Sequence, residues 1–107
     1  MKKIGLPVTD GLIFEEIENI IHLQAEGNYT NVFTNDGKKK LVSKNLKEFE
    51  DLLPPALFCR IHHSHIVNLN FIKKYYKGRG GYVELADGSK VEVSTRKKDE
   101  FLEKFRL

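Results

Sequence analysis

Apolar and polar residues alternate in short bursts along this chain, and many of the bursts end at glycine or asparagine. Bursts of that length between turn-forming residues predict strands. Leu12-Ile13-Phe14 follows an Asp-Gly turn signal, and Ile17, Ile20, Ile21 and Leu23 lead into the turn-prone Ala25-Glu26-Gly27-Asn28, so two short strands are expected here. Tyr29 to Thr34 is rich in β-branched and aromatic residues, and Asn35-Asp36-Gly37 then turns the chain into a polar strand from Lys38 to Ser43, a hairpin. Only between Asn45 and Leu53 does the period change. Leu46, Phe49, Leu52 and Leu53 fall on one helical face, with Asn45 as cap and Pro54-Pro55 as stop.

Periodicity is mixed from Phe58 to Leu69, where a strand, a tight turn and a second strand are expected. The segments 71–77 and 81–85 read as strands flanking the loop Gly78-Arg79-Gly80-Gly81. Asp87-Gly88 turns the chain into a strand over Lys90 to Val93. Ser94 is placed to cap a final helix bearing Phe101, Leu102 and Phe105. Residues 1–10 look linker-like and 11–107 read as one domain. Short strands with one or two short helices predict a mostly β fold.

A length of 107 residues suits a single modest core. At 40% hydrophobic and 31% charged the chain is globular in composition, with no apolar run long enough to span a membrane and no signal-type leader, so a cytoplasmic location is expected. The net charge of +3 is too small to identify a partner, but the charge is segregated. Residues 10–26 carry five acids and no lysine or arginine, whereas Lys38 to Lys40, Lys73 to Arg79 and Arg96 to Lys98 are basic clusters.

The stretch Phe58-Cys59-Arg60-Ile61-His62-His63-Ser64-His65 sets polar chemistry among core-like positions. Cys59, His62, His63 and His65 have zinc-binding side chains, yet four ligands within seven residues rarely converge on one tetrahedral centre, so no metal or other cofactor is expected. Cys59 reads instead as a small buried apolar group. Ser64 beside histidines lacks a nucleophile-elbow context, and Gly78-Arg79-Gly80-Gly81 does not open a helix as a phosphate cradle does, so no enzyme is expected. Nucleic-acid binding asks for cations facing phosphates, planar or amide side chains for base edges, and rigid elements to present them. Arg96, Lys97 and Lys98, between a strand and a helix, supply the first. Lys38 to Lys40 reads better as a solvated hairpin end.

Taken together, three pieces resemble the LytTR family of bacterial DNA-binding domains, which usually form the C-terminus of response regulators. They are Ile21-x-Leu23-x-Ala25-Glu26-Gly27-Asn28-Tyr29-Thr30, the pattern F-x-R-x-H-x-S-x-I-V-N-L over 58–69, and Asp87-Gly88 with Val91-x-Val93-Ser94-x-Arg96. The resemblance implies an elongated arrangement of small antiparallel β-sheets that binds double-stranded DNA through loops, as a transcriptional regulator. It points to Asn28, Tyr29 and Thr30, to His63 and Ser64, and to Arg96 as DNA-binding residues, and the basic cluster read above adds Lys97 and Lys98 on phosphates. It also implies a receiver domain in cis if this is an excised fragment, and a homodimer on repeated half-sites. The alternative is a β-rich protein-interaction module using the Tyr75-Tyr76 hairpin as a docking edge.

His62, as a strand residue, is expected to point inward, opposite to His63. Many family members carry arginine at the positions of His63 and Thr95. A histidine supplies a cation only when protonated, so DNA binding should be tighter at pH 6 than at pH 8 at fixed salt. Equal affinity at the two pH values would remove His63 from the phosphate-facing set.

Overall fold

Gly27, Gly37 and Gly88 take φ values of 60°, 83° and 88°, and their left-handed backbone ends strands where the sequence places its turns. The protein, a computed structural model describing residues 2–106, orders its elements as follows. β1 (Lys3–Val8) and β2 (Gly11–Glu16) form a two-stranded hairpin. β3 (Ile20–Glu26), β4 (Tyr29–Thr34), β5 (Lys39–Val42), α1 (Leu46–Leu52), β6 (Phe58–His62) and β7 (His65–Asn68) follow, and their strands make one antiparallel sheet in the order β5-β4-β3-β7-β6. β8 (Ile72–Tyr76), β9 (Tyr82–Leu85) and β10 (Lys90–Glu92) form a three-stranded antiparallel sheet, and α2 (Lys98–Glu103) ends the fold. The mostly β, elongated architecture expected from the sequence is the one observed, with extents of 42 × 28 × 23 Å.

The β3-β7-β6 part of the five-stranded sheet is packed on both faces, which accounts for the mixed periodicity over 58–69. Leu23, Ile66 and Phe58 join Leu6, Leu46 and Phe49 in one apolar cluster beneath the first hairpin and α1. Ile21, Val67, Cys59 and Ile61 join Val83, Val91 and Phe101 in a second, against the three-stranded sheet and α2. Asn68, nearly sealed, donates its side-chain amide to the Ile20 carbonyl and accepts from the Asn70 N–H, so this buried polar group is satisfied. α1 is fixed by a capping box in which Asn45 accepts from the Glu48 N–H while the Glu48 carboxylate accepts from the Asn45 N–H.

Two expectations need correcting. Residues 3–8 are not linker-like: they form β1, with Leu6 fully buried and the Pro7 carbonyl accepting from the Ser43 N–H at 2.9 Å. Gly5 and Pro7 disguised the strand, since both residue types are depleted in sheets. Ser94 also does not cap α2 directly. Its hydroxyl and carbonyl both accept from the Lys97 N–H, closing a turn, and the helix begins only at Lys98.

Candidate nucleic-acid interface

The β3–β4 turn exposes Asn28 and leaves Tyr29 48% exposed. Beside it, the Ala25 N–H donates to the Ser64 carbonyl at 2.9 Å, continuing the β3–β7 ladder to the His63-Ser64 turn. The segment before α2 is joined to β6, just before that turn, where the Ser94 N–H donates to the Ile61 carbonyl at 2.8 Å. His63 and Arg96 consequently line one open concavity of about 520 Å³, together with Arg60, Ser94, Thr95 and Lys97. Three segments far apart in sequence are thus held side by side through backbone hydrogen bonds.

Arg60 secures the middle turn. Its guanidinium donates to the carbonyls of His62 and His63 and, at 3.0 Å, to the Glu50 carboxylate of α1. Sequence reasoning had included Arg60 in a pattern without giving it this role. His62 is largely covered, but it does not point opposite to His63. β6 ends at His62, so strand alternation does not extend to His63, and the two rings stack at 4.4 Å. The His62 Nδ1 accepts from the Ser64 N–H at 3.1 Å, and its Nε2 lies 3.8 Å from a Glu92 carboxylate oxygen.

Behind these rings, His22 Nε2 and His65 Nδ1 are 3.2 Å apart, and His22 stacks on Phe33. Burial, followed by the neighbouring His65, pushes His22 down to about 4; burial and then His62 do the same to His65, also to about 4. Cys59 is buried in the second cluster, and burial raises its thiol pKa. Among the described residues no group of three His, Cys, Asp or Glu side chains is placed to hold a metal ion.

The expected DNA-facing residues do not share one environment. Asn28, Tyr29, His63 and Arg96 are exposed, and Ser64, Lys97 and Lys98 are half-buried. Arg96 has no ion-pair partner among the described residues, whereas the Lys97 ammonium lies 3.7 Å from Glu100. Thr30 is the exception. It is fully buried, and its hydroxyl donates to the Lys44 carbonyl at 2.7 Å, so its side chain anchors the turn from beneath and cannot reach a groove. The Lys38-to-Lys40 cluster sits at the far end of β4, about 17–20 Å from the Asn28 turn by strand rise, and Lys40 pairs with Glu15. Tyr75, one of the two tyrosines offered as a docking edge, instead packs on Phe101 and donates its hydroxyl to the Gly80 carbonyl at 2.6 Å.

The expected loop Gly78-Arg79-Gly80-Gly81 is also held more tightly than its sequence alone indicates. A Cβ on Gly80 would lie 1.9 Å from the Val93 carbonyl oxygen, and the Val93 N–H donates to the Gly81 carbonyl. The loop is pressed onto the strand end that leads to Arg96. The paired glycines were the available signal, because a close backbone approach requires the absence of a side chain.

Fold and site together define a small β-domain that presents its polar chemistry on turns and not on a helix. A model of the LytTr DNA-binding domain matches residues 10–106. The chain belongs to the LytTR family of DNA-binding domains. It is 33% identical over 94 residues to the sensory transduction protein LytT of Bacillus subtilis, covering 86% of this chain and 39% of LytT. It is 30% identical over 87 residues to the CO-responsive transcriptional regulator RcoM of Rhodospirillum rubrum, covering 81% of this chain and 36% of RcoM. A solved LytTr DNA-binding domain from Bacillus cereus superposes with a TM-score of 0.86 at 29% identity, covering 100% of this chain and 99% of that one. The chain spans less than two fifths of the length of LytT and RcoM. No helix among the described residues is long and apolar enough to cross a membrane.

Proposed function

We propose that this domain binds a specific double-stranded DNA sequence for a transcriptional regulator, reading the duplex with side chains carried on turns. Arg96 offers a guanidinium fork suited to a guanine edge, and Asn28 offers an amide suited to an adenine. His63 and Ser64 approach the DNA between them, Lys97 and Lys98 face phosphates, and Tyr29 holds a phosphate or supports its turn. The observation that carries this reading is the backbone ladder tying the Asn28, His63 and Arg96 turns together. Groups held in fixed relation lose little freedom when they meet a duplex. No enzymatic step enters the reading.

In the wider protein we propose a cytoplasmic regulator with a sensing or receiver domain in the same polypeptide, acting as a homodimer on repeated half-sites. The greater length of LytT and RcoM supports the first part. Two-fold pairing on DNA is the common arrangement that supports the second.

Selecting bound duplexes from a random pool tests the central claim, with affinity for the winners followed against salt. Enrichment of one sequence and affinity falling steeply with salt are expected. No enrichment together with a flat salt dependence would refute it. On the selected site Arg96→Ala should cost about 2 kcal/mol and relax the choice at one base pair. Uniform weakening with the preference intact would reassign Arg96 to a phosphate.

A further inference from the structure

We propose that the loop from Lys77 to Gly81, with the adjoining start of β10, forms a second phosphate-binding shelf. It takes the sugar-phosphate backbone of the same duplex beyond the stretch met by Arg96, and so rests on the DNA reading above. Lys77, Arg79 and Lys90 surround an open concavity of about 810 Å³ that reaches Thr95. Thr95 also lines the concavity shared by His63 and Arg96, so the two depressions meet there. His63 and Arg96 belong only to the first and Arg79 only to the second, so the shelf continues from the first depression at Thr95.

Two observations bear on these cations, the first of which they share with other lysines such as Lys39, Lys73 and Lys74. Elsewhere on the molecule Lys40, Lys47, Arg60 and Arg106 are each matched by a carboxylate within 4 Å, from Glu15, Asp51, Glu50 and Glu103. Among the described residues Lys77, Arg79 and Lys90 have no such match. The single acid lining the shelf, Glu92, lies 3.8 Å from the His62 ring. Three positive groups therefore face one depression that contains a single carboxylate.

The second observation is rigidity. Gly80 is packed against the Val93 carbonyl, the Tyr75 hydroxyl donates to the Gly80 carbonyl, and Gly81 adopts a φ of 82°. The loop is fixed to the segment that carries Arg96, so a duplex seated on Arg96 meets the shelf in one register. A regularly spaced polyanion suits that arrangement, because each phosphate neutralised adds a defined increment to the salt dependence of binding.

The test uses the whole chain and a duplex recovered by selection, with affinity measured across a salt series. Lys77→Ala/Arg79→Ala/Lys90→Ala should flatten the slope of log affinity against log salt by roughly 2 to 3, at about 0.9 per lost phosphate contact. The order of preferred bases should stay as in the wild type. Lys77→Arg/Arg79→Lys/Lys90→Arg, which keeps the charges, should keep the slope. A wild-type slope in the triple alanine variant overturns the shelf while leaving the DNA reading intact. A wild-type chain that binds no selected duplex overturns the DNA reading itself, and the shelf with it.

Discussion

Gly80→Ala is expected to destabilise the protein by about 3 kcal/mol, well beyond the cost of an ordinary surface substitution. The added methyl would sit 1.9 Å from the Val93 carbonyl oxygen and 3.0 Å from both the Ser94 carbonyl carbon and the Thr95 nitrogen, all of them backbone atoms. A rotamer change cannot relieve such a clash, so either the loop or the strand end must move. Gly78→Ala is the matched control. Its methyl would meet only Gly81 backbone atoms, at 3.5 and 3.6 Å, which is ordinary contact. Urea midpoints of the two variants check the claim, and equal midpoints would mean that the loop is not pressed onto the strand. Because the displaced segment leads into Arg96, DNA affinity in Gly80→Ala should fall further than unfolding alone explains.

Acid should weaken the fold before most carboxylates titrate. His22 and His65 remain neutral in the folded protein down to about pH 4, whereas once unfolded they take up protons near the ordinary value of 6.5. Between those values the unfolded chain binds more protons, so stability rises with pH. Their contribution is complete above about pH 6.5, declines as the pH falls, and stops declining below about pH 4. From pH 7.5 to pH 5 the loss should be about 3 kcal/mol for the two rings, with His22 dominating because water screens part of His65. The urea midpoint at the two pH values measures it, and an unchanged midpoint would place both rings in water.

Much of the architecture was legible because local signals and tertiary demands agree. Asn35-Asp36-Gly37 and Asp87-Gly88 announce turns that the backbone makes, and Asn45 caps the helix it precedes. β1 was hidden because Gly5 and Pro7 oppose a strand locally, while packing overrides them. A Cβ at Gly5 would make only ordinary contact with the Phe14 ring, at 3.6 Å, and Leu6 fills the core. At the candidate site, the exposed Asn28, His63 and Arg96 could be proposed from sequence. Thr30 could not be told apart from them, since only the fold brings the Lys44 carbonyl to its hydroxyl. The roles of Arg60 and Gly80 depend on partners 10 and 13 residues away, respectively. Such partners leave no trace in local periodicity.

The sheet with apolar packing on both sides has one more consequence. β3 and β7 serve as a common wall between the two apolar clusters, so the tips of both halves are tied to one sheet. Whatever these tips grip has to conform to them. A stiff polymer with the wrong groove spacing must bend or be refused, and some of the discrimination then passes to its elasticity.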